Sequence, residues 1–160
     1  MGKYKIEMKW AFIFVAMSLI WMLLEKITGL HDQHIRVHST FSNFIAIPAI
    51  ATYVFALLDK RNSFYSGQMS YIQGLVCGLI ITLIVTILSP LTQIITSKII
   101  TPEFFTNAIN YTVSSGSLTK EAAEEYFSLK NYIIQGLIGA PIMGIFTSAI
   151  VAIFVRKTKT

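Results

Sequence analysis

Charge is what this sequence has least of. Only 13% of its 160 residues are Asp, Glu, Lys or Arg, about half the share found in a soluble domain. A chain of this size leaves much of its surface facing solvent. With 54% hydrophobic residues and a mean hydropathy of +0.62, that surface does not suit water. A soluble globular enzyme does not fit these numbers. Nor does a disordered chain, which needs low hydrophobicity and high charge. The single cysteine, Cys77, allows no disulfide within the chain. No nucleotide-binding loop, zinc-protease helix or nucleophile elbow occurs. No period of 20 to 50 residues and no inverted repeat of the carrier kind is visible. No basic stripe with interleaved aromatics exists, so nucleic acid is not an expected partner.

What is present is four runs free of charged residues: Trp10 to Leu24, Val37 to Leu58, Asn62 to Ser97 and Asn131 to Val155. A membrane-spanning helix needs about 20 mostly apolar residues to cross about 30 Å of hydrocarbon. The last three runs meet that length. The first, from Trp10 to Leu24, is extended at one end by Lys5 and Lys9, which can snorkel beside the interfacial aromatics Tyr4 and Trp10. At the other end it continues through Glu25 and Lys26. Leu24–Ile27 offers no small-residue cleavage site, so the segment reads as a retained span rather than a signal peptide. The expected fold is an all-α integral membrane bundle, one domain over 1–160, with spans at about 7–29, 38–58, 69–97 and 131–155. Pro48, Pro90 and Pro141 fall inside spans and are read as structural bends whose freed carbonyls neighbouring helices or hydroxyls can satisfy.

Charge then predicts the threading. With the N-terminus in the cytoplasm, Lys3, Lys5, Lys9, Lys60, Arg61, Arg156, Lys157 and Lys159 lie inside, 8 of the 13 basic residues. The outer segments hold the other five in longer stretches, and the positive-inside rule favours this orientation, with both termini cytoplasmic. Two segments remain outside. Glu25 to Ser39 contains all three histidines. The other, about 98–130, is expected to form an extracytoplasmic helical hairpin. There Thr101-Pro102-Glu103 reads as a cap with proline at the first helical position, and Thr119 as a cap for a second helix. That second helix is expected to bury Ala122, Tyr126, Leu129 and Ile133 and to run into the fourth span, with Glu121, Glu124 and Glu125 on a solvated face.

Two patterns stand out. Small residues recur every four positions at Gly74, Gly78, Thr82 and Thr86, and again at Gly136, Ala140, Gly144, Ser148 and Ala152. Such ridges let helix backbones approach closely in lipid, either within the bundle or across a dimer. The second pattern is titratable. Glu25, His31, His34 and His38 are the ligand or proton candidates, because an ionisable group near hydrocarbon is a functional candidate by default. On a continuous helix the three histidines would share a face and could hold a transition metal. The segment is short, however, and need not be helical. The reading preferred is that the histidines mark the interface and Glu25 anchors it, with no metal, cofactor or catalytic residue.

Several stretches resemble one bacterial family: Trp21-Met22-Leu23-Leu24-Glu25-Lys26 with Gly29-Leu30-His31-Asp32, then Ala56 to Arg61, Ile80 to Pro90 and Thr147 to Lys157. It is a family of small four-span membrane proteins known as a domain of unknown function, number four-one-nine-nine. The resemblance covers nearly the whole chain. It implies a compact helical bundle in the bacterial inner (cytoplasmic) membrane and brings no activity or catalytic residues with it. The expected function is therefore non-enzymatic: packing in the lipid bilayer with itself, as a homo-oligomer, or with partner membrane proteins. The alternatives are a small-solute or ion permeation unit, and an extracytoplasmic metal binder or sensor. A polar cavity reaching Gln73 or Gln135 would favour permeation.

Overall fold

A computed structural model describes residues 2 and 4–158; Lys3 and Lys159 lie outside the described residues. Seven helices follow one another: α1 (Lys5–Ile27), α2 (Ile35–Ser42), α3 (Ala46–Asp59), α4 (Tyr71–Ile95), α5 (Phe104–Ser114), α6 (Lys120–Tyr126) and α7 (Leu129–Val155). The described residues contain no strand, only one antiparallel bridge between Met69 and Lys157. Four segments are long and apolar enough to cross a membrane: Lys5–Ile27, Ile35–Phe64, Tyr71–Ile100 and Leu129–Val155. Many large apolar side chains point outward, with Phe154 81% exposed and Ile87 66%, while the interior combines small residues such as Ala56 and Ser148 with Leu57 and Ile81, all 0%. An apolar outer surface of this kind suits a lipid solvent.

The second span is helical throughout but not uniformly α. A 3-10 turn at Asn43–Ile45 separates α2 from α3, just before Pro48, which has no N–H and crowds the residue four back. Pro90 likewise leaves the Thr86 carbonyl without its helical donor, and the Ser89 hydroxyl donates to it at 2.9 Å. Gln73 does not line the interior. It completes a capping box with Ser70 at the start of α4, an arrangement worth about 1 kcal/mol. Gln135 is exposed on α7.

The two small-residue ridges meet each other. A Cβ on Gly78 would collide with Ser148, one on Gly144 would collide with Thr82, and one on Gly74 would press on Ala152 at 3.3 Å. Each four-residue step along α4 is answered by a four-residue step back along α7, so the antiparallel pair packs ridge against ridge. The ridge residues are thereby used within one chain.

At one end, called here the lysine end, Met69 and Lys157 exchange backbone hydrogen bonds at 2.8 Å, and Arg61 Nη1 donates to the Val155 carbonyl at 3.0 Å. Lys9 pairs with Asp59, whose carboxylate also accepts from Trp10 Nε1 at 2.8 Å. Glu7 and Lys60 form a buried ion pair at 2.8 Å. At the opposite end, α5 and α6 pack on each other as a short helical pair. Here the structure departs from expectation twice. Pro102 and Glu103 form a turn, and α5 starts at Phe104 with Glu103 at its N-cap and no side-chain cap bond, while the Thr101 N–H closes onto the Thr96 carbonyl at 2.8 Å. Thr119 does cap α6. That helix buries Ala123 instead of Ala122, leaves Tyr126 exposed and stops there, since extended backbone at Ser128 interrupts it and the Ser128 hydroxyl caps α7. The face drawn through Ala122, Tyr126, Leu129 and Ile133 is therefore broken at Ser128.

Candidate metal centre

The inner face of α1 repeats at helical spacing through Glu7, Ala11, Phe14, Ser18, Met22 and Glu25. Eighteen residues, five helical turns, separate the two glutamates, so they share one face about 27 Å apart. That is close to the thickness of the hydrocarbon core. Each is 2% exposed. Burying a carboxylate in such surroundings is costly unless it is paired and hydrogen-bonded; Glu25 is satisfied on both oxygens, and Glu7 is paired with Lys60 through Oε1 while its Oε2 has no hydrogen-bond partner.

Four side chains surround the Glu25 carboxylate, and two of them also meet each other, Ser42 Oγ lying 3.1 Å from His38 Nε2. Trp21 Nε1, one turn earlier on α1, and the Ser42 hydroxyl (2.8 Å) both donate to Oε1. His31 Nε2 lies 3.0 Å and His38 Nε2 3.4 Å from Oε2. The chain reaches this arrangement through a tight reversal after α1. Gly29 adopts φ +75°, which L side chains rarely tolerate. Its carbonyl accepts from the N–H groups of Asp32 (3.1 Å) and His34 (2.8 Å). That fold drives His31 inward to 5% exposure, while α2 brings His38 and Ser42, one turn apart, to the same carboxylate. From the other side α5 closes the site: the Phe104 ring lies 5.0 Å from His31 and 4.9 Å from His38, centroid to centroid, and Asn107 Nδ2 donates to the His31 carbonyl at 3.0 Å.

The sequence candidates thus separate. Glu25, His31 and His38 converge, with one ligand atom from each lying within 4.8 Å of the others. His34, at the N-terminus of α2, is exposed and takes no part. The histidine segment is not a loose wet connection. Trp21, Ser42, Phe104 and Asn107 were not singled out from the sequence. Trp21 at four residues before Glu25 and Ser42 at four after His38 were the available signals, since both spacings stack side chains on a helix.

The donor set fits a metal. Two imidazoles and one carboxylate are the ligands of first-row divalent ions, zinc and iron among them. Ligand atoms at about 2.1 Å from a tetrahedral zinc would lie about 3.4 Å apart; the carboxylate lies 3.0 and 3.4 Å from the two imidazole nitrogens, and all three ligand atoms lie within 4.8 Å of one another. Trp21 and Ser42 occupy Oε1 and leave Oε2 turned toward the rings, the orienting arrangement found around metal ligands. Beside the rings lies a cavity of about 240 Å³ lined in part by His31, His38, Gln93, Ser97, Thr101 and Tyr132.

The fold and site define an all-helical membrane protein with four helices long and apolar enough to span a bilayer and a carboxylate–bis-imidazole cluster buried at one end of the bundle. Over residues 9–157 the chain matches the family described as Protein of unknown function (DUF4199), and it belongs to that family. No curated protein and no solved structure matches it.

Proposed function

We propose that this chain is a non-enzymatic, multi-pass protein of the bacterial inner membrane that binds a divalent transition-metal ion at its outer face. In this reading both termini and the lysine end are cytoplasmic, and the α5–α6 pair is an extracytoplasmic cover over the site. The observation that carries it is the convergence of Glu25, His31 and His38, three buried or half-buried ligands drawn from α1, the turn after it and α2. Three protein ligands leave a coordination position open to an exchangeable group. An accessory or sensory role, passing metal occupancy to a partner membrane protein, suits a site tying three chain segments together. The packing reading loses support as a route to partners, because the ridges on α4 and α7 face one another. Permeation loses support because Gln73 is spent on a helix cap and Gln135 faces outward.

The test is calorimetric titration of the purified chain in detergent with zinc. One equivalent should bind in the parent and in His34→Ala, and binding should fall at least tenfold in His31→Ala, His38→Ala and Glu25→Gln. Absence of binding in the parent, or equal loss in His34→Ala, would overturn the proposal.

A further inference from the structure

Phe104, the first residue of α5, is where the cover meets the cluster. Its ring lies 5.0 Å from the His31 ring and 4.9 Å from the His38 ring, and the two imidazoles lie 5.2 Å from each other, centroid to centroid. One phenyl ring therefore packs against both nitrogen ligands at once. The same ring reaches Phe127, the residue that ends α6, at 6.5 Å and Tyr132 on α7 at 6.1 Å. One helical turn along α5, Asn107 Nδ2 donates to the His31 carbonyl at 3.0 Å. Among the described residues the extensive packing lies between the spans, α4 with α7 and α1 with α4 above all, whereas α5 packs chiefly on α2 and α6. In turn, α6 meets α7 only lightly, and α2, which carries His38, packs chiefly on α5 and on the 3-10 turn that follows it. Much of what holds the cover down is thus the cluster itself. An element packed so sparsely elsewhere opens at a lower free energy than the spans do.

We infer that the α5–α6 cover is operated by the metal: a divalent ion on Glu25, His31 and His38 holds it docked, and loss of the ion frees it. This inference rests on the metal reading and assigns that site its regulation. Two effects give the direction. An ion gains its three ligands only where they converge, and Phe104 and Asn107 dock on that same arrangement, so ion and docked cover favour each other by linkage. An ion bound by both histidines also fixes their rotamers, so the platform under Phe104 is ordered in advance and docking costs less conformational entropy. Phe104 then carries occupancy onward to Phe127 and Tyr132, where α6 gives way to α7. The exposed carboxylates of α6, Glu121, Glu124 and Glu125, ride on the element whose position reports the ion.

The experiment uses the full chain in detergent, with zinc binding measured by calorimetry and amide hydrogen exchange followed by mass spectrometry with and without zinc. Zinc should slow exchange about tenfold in α5 and α6 and leave the middle turns of α4 and α7 unchanged. Phe104→Leu keeps apolar bulk but removes the ring that meets both imidazoles, and Asn107→Ala removes the bond to the His31 carbonyl. Each variant should still bind one zinc, more weakly than the parent, and lose most of the zinc-dependent slowing in α6. His34→Ala should keep that slowing in full. One zinc bound with exchange in α5 and α6 unchanged overturns this inference and leaves the metal reading standing. So does full slowing in both Phe104→Leu and Asn107→Ala, or equal slowing in α4 and α7, since the ion would then stabilise the whole bundle and not the cover. No zinc bound by the parent overturns the metal reading, and this inference falls with it.

Discussion

Thr82 occupies the space that any side chain on Gly144 would need, and its hydroxyl lies 2.7 Å from that of Tyr53. One residue of α4 therefore sets the approach of α7 and tethers α3. Gly144→Ala should destabilise the bundle by about 1–3 kcal/mol through overpacking. Gly139, on the same helix, has nothing within 4 Å of where its Cβ would be, so Gly139→Ala should be neutral or slightly stabilising. Thermal unfolding in detergent compares them, and equal midpoints would remove the packing argument.

Much of this was legible in the residues. Run lengths between charges located the four spans, because the bilayer sets a length and the backbone a rise. The four-residue spacing of Gly74, Gly78, Gly144 and Ser148 pointed to close helix contact, though not to the partner, since spacing alone does not say which ridge faces which. The cluster at Glu25 was half legible. Its residues were identified, but the reversal that buries His31 and strands His34 depends on the positive φ of Gly29 and on Phe104 arriving from 73 residues away in sequence. The Glu7–Lys60 pair was missed, because each looked like an ordinary interfacial charge. Only the shared α1 face of Glu7, Ala11, Ser18 and Glu25 could have shown that Glu7 points inward.

That pair carries its own expectation. Lys60→Met leaves the Glu7 carboxylate buried without its counter-charge and should cost about 3–5 kcal/mol. The double variant Glu7→Leu, Lys60→Met removes both charges and should recover most of that loss, as a double-mutant cycle would read. Strictly additive losses would show that the two side chains act independently.

Threading is tested by chemistry at two exposed serines. Ser63 follows α3 at the lysine end, and Ser115 follows α5 at the histidine end. In a Cys77→Ala background, Ser115→Cys should react with an impermeant maleimide on intact spheroplasts, and Ser63→Cys only after lysis. The eight-to-five basic asymmetry motivates this orientation, and labelling of Ser63→Cys in intact cells would reverse it.

The last prediction concerns how Glu25 is aimed. If Oε2 is a metal ligand, the groups that hold Oε1 set its direction, and losing one should weaken metal binding although neither touches the metal. Trp21→Phe removes the indole donor while keeping an aromatic of similar bulk, and Ser42→Ala removes the hydroxyl at 2.8 Å. Each should reduce zinc affinity by about 10-fold or more, the usual effect of removing an orienting partner. Trp10→Phe supplies the control, because Trp10 also donates to a carboxylate but at the other end of α1, on Asp59. It should leave zinc affinity unchanged. Binding should also weaken as the pH is lowered, since protons compete with the metal for both imidazoles. Calorimetry at fixed pH separates these variants. Equal affinity in the parent, Trp21→Phe and Ser42→Ala would mean that Glu25 braces the turn after α1 and does not ligate the metal.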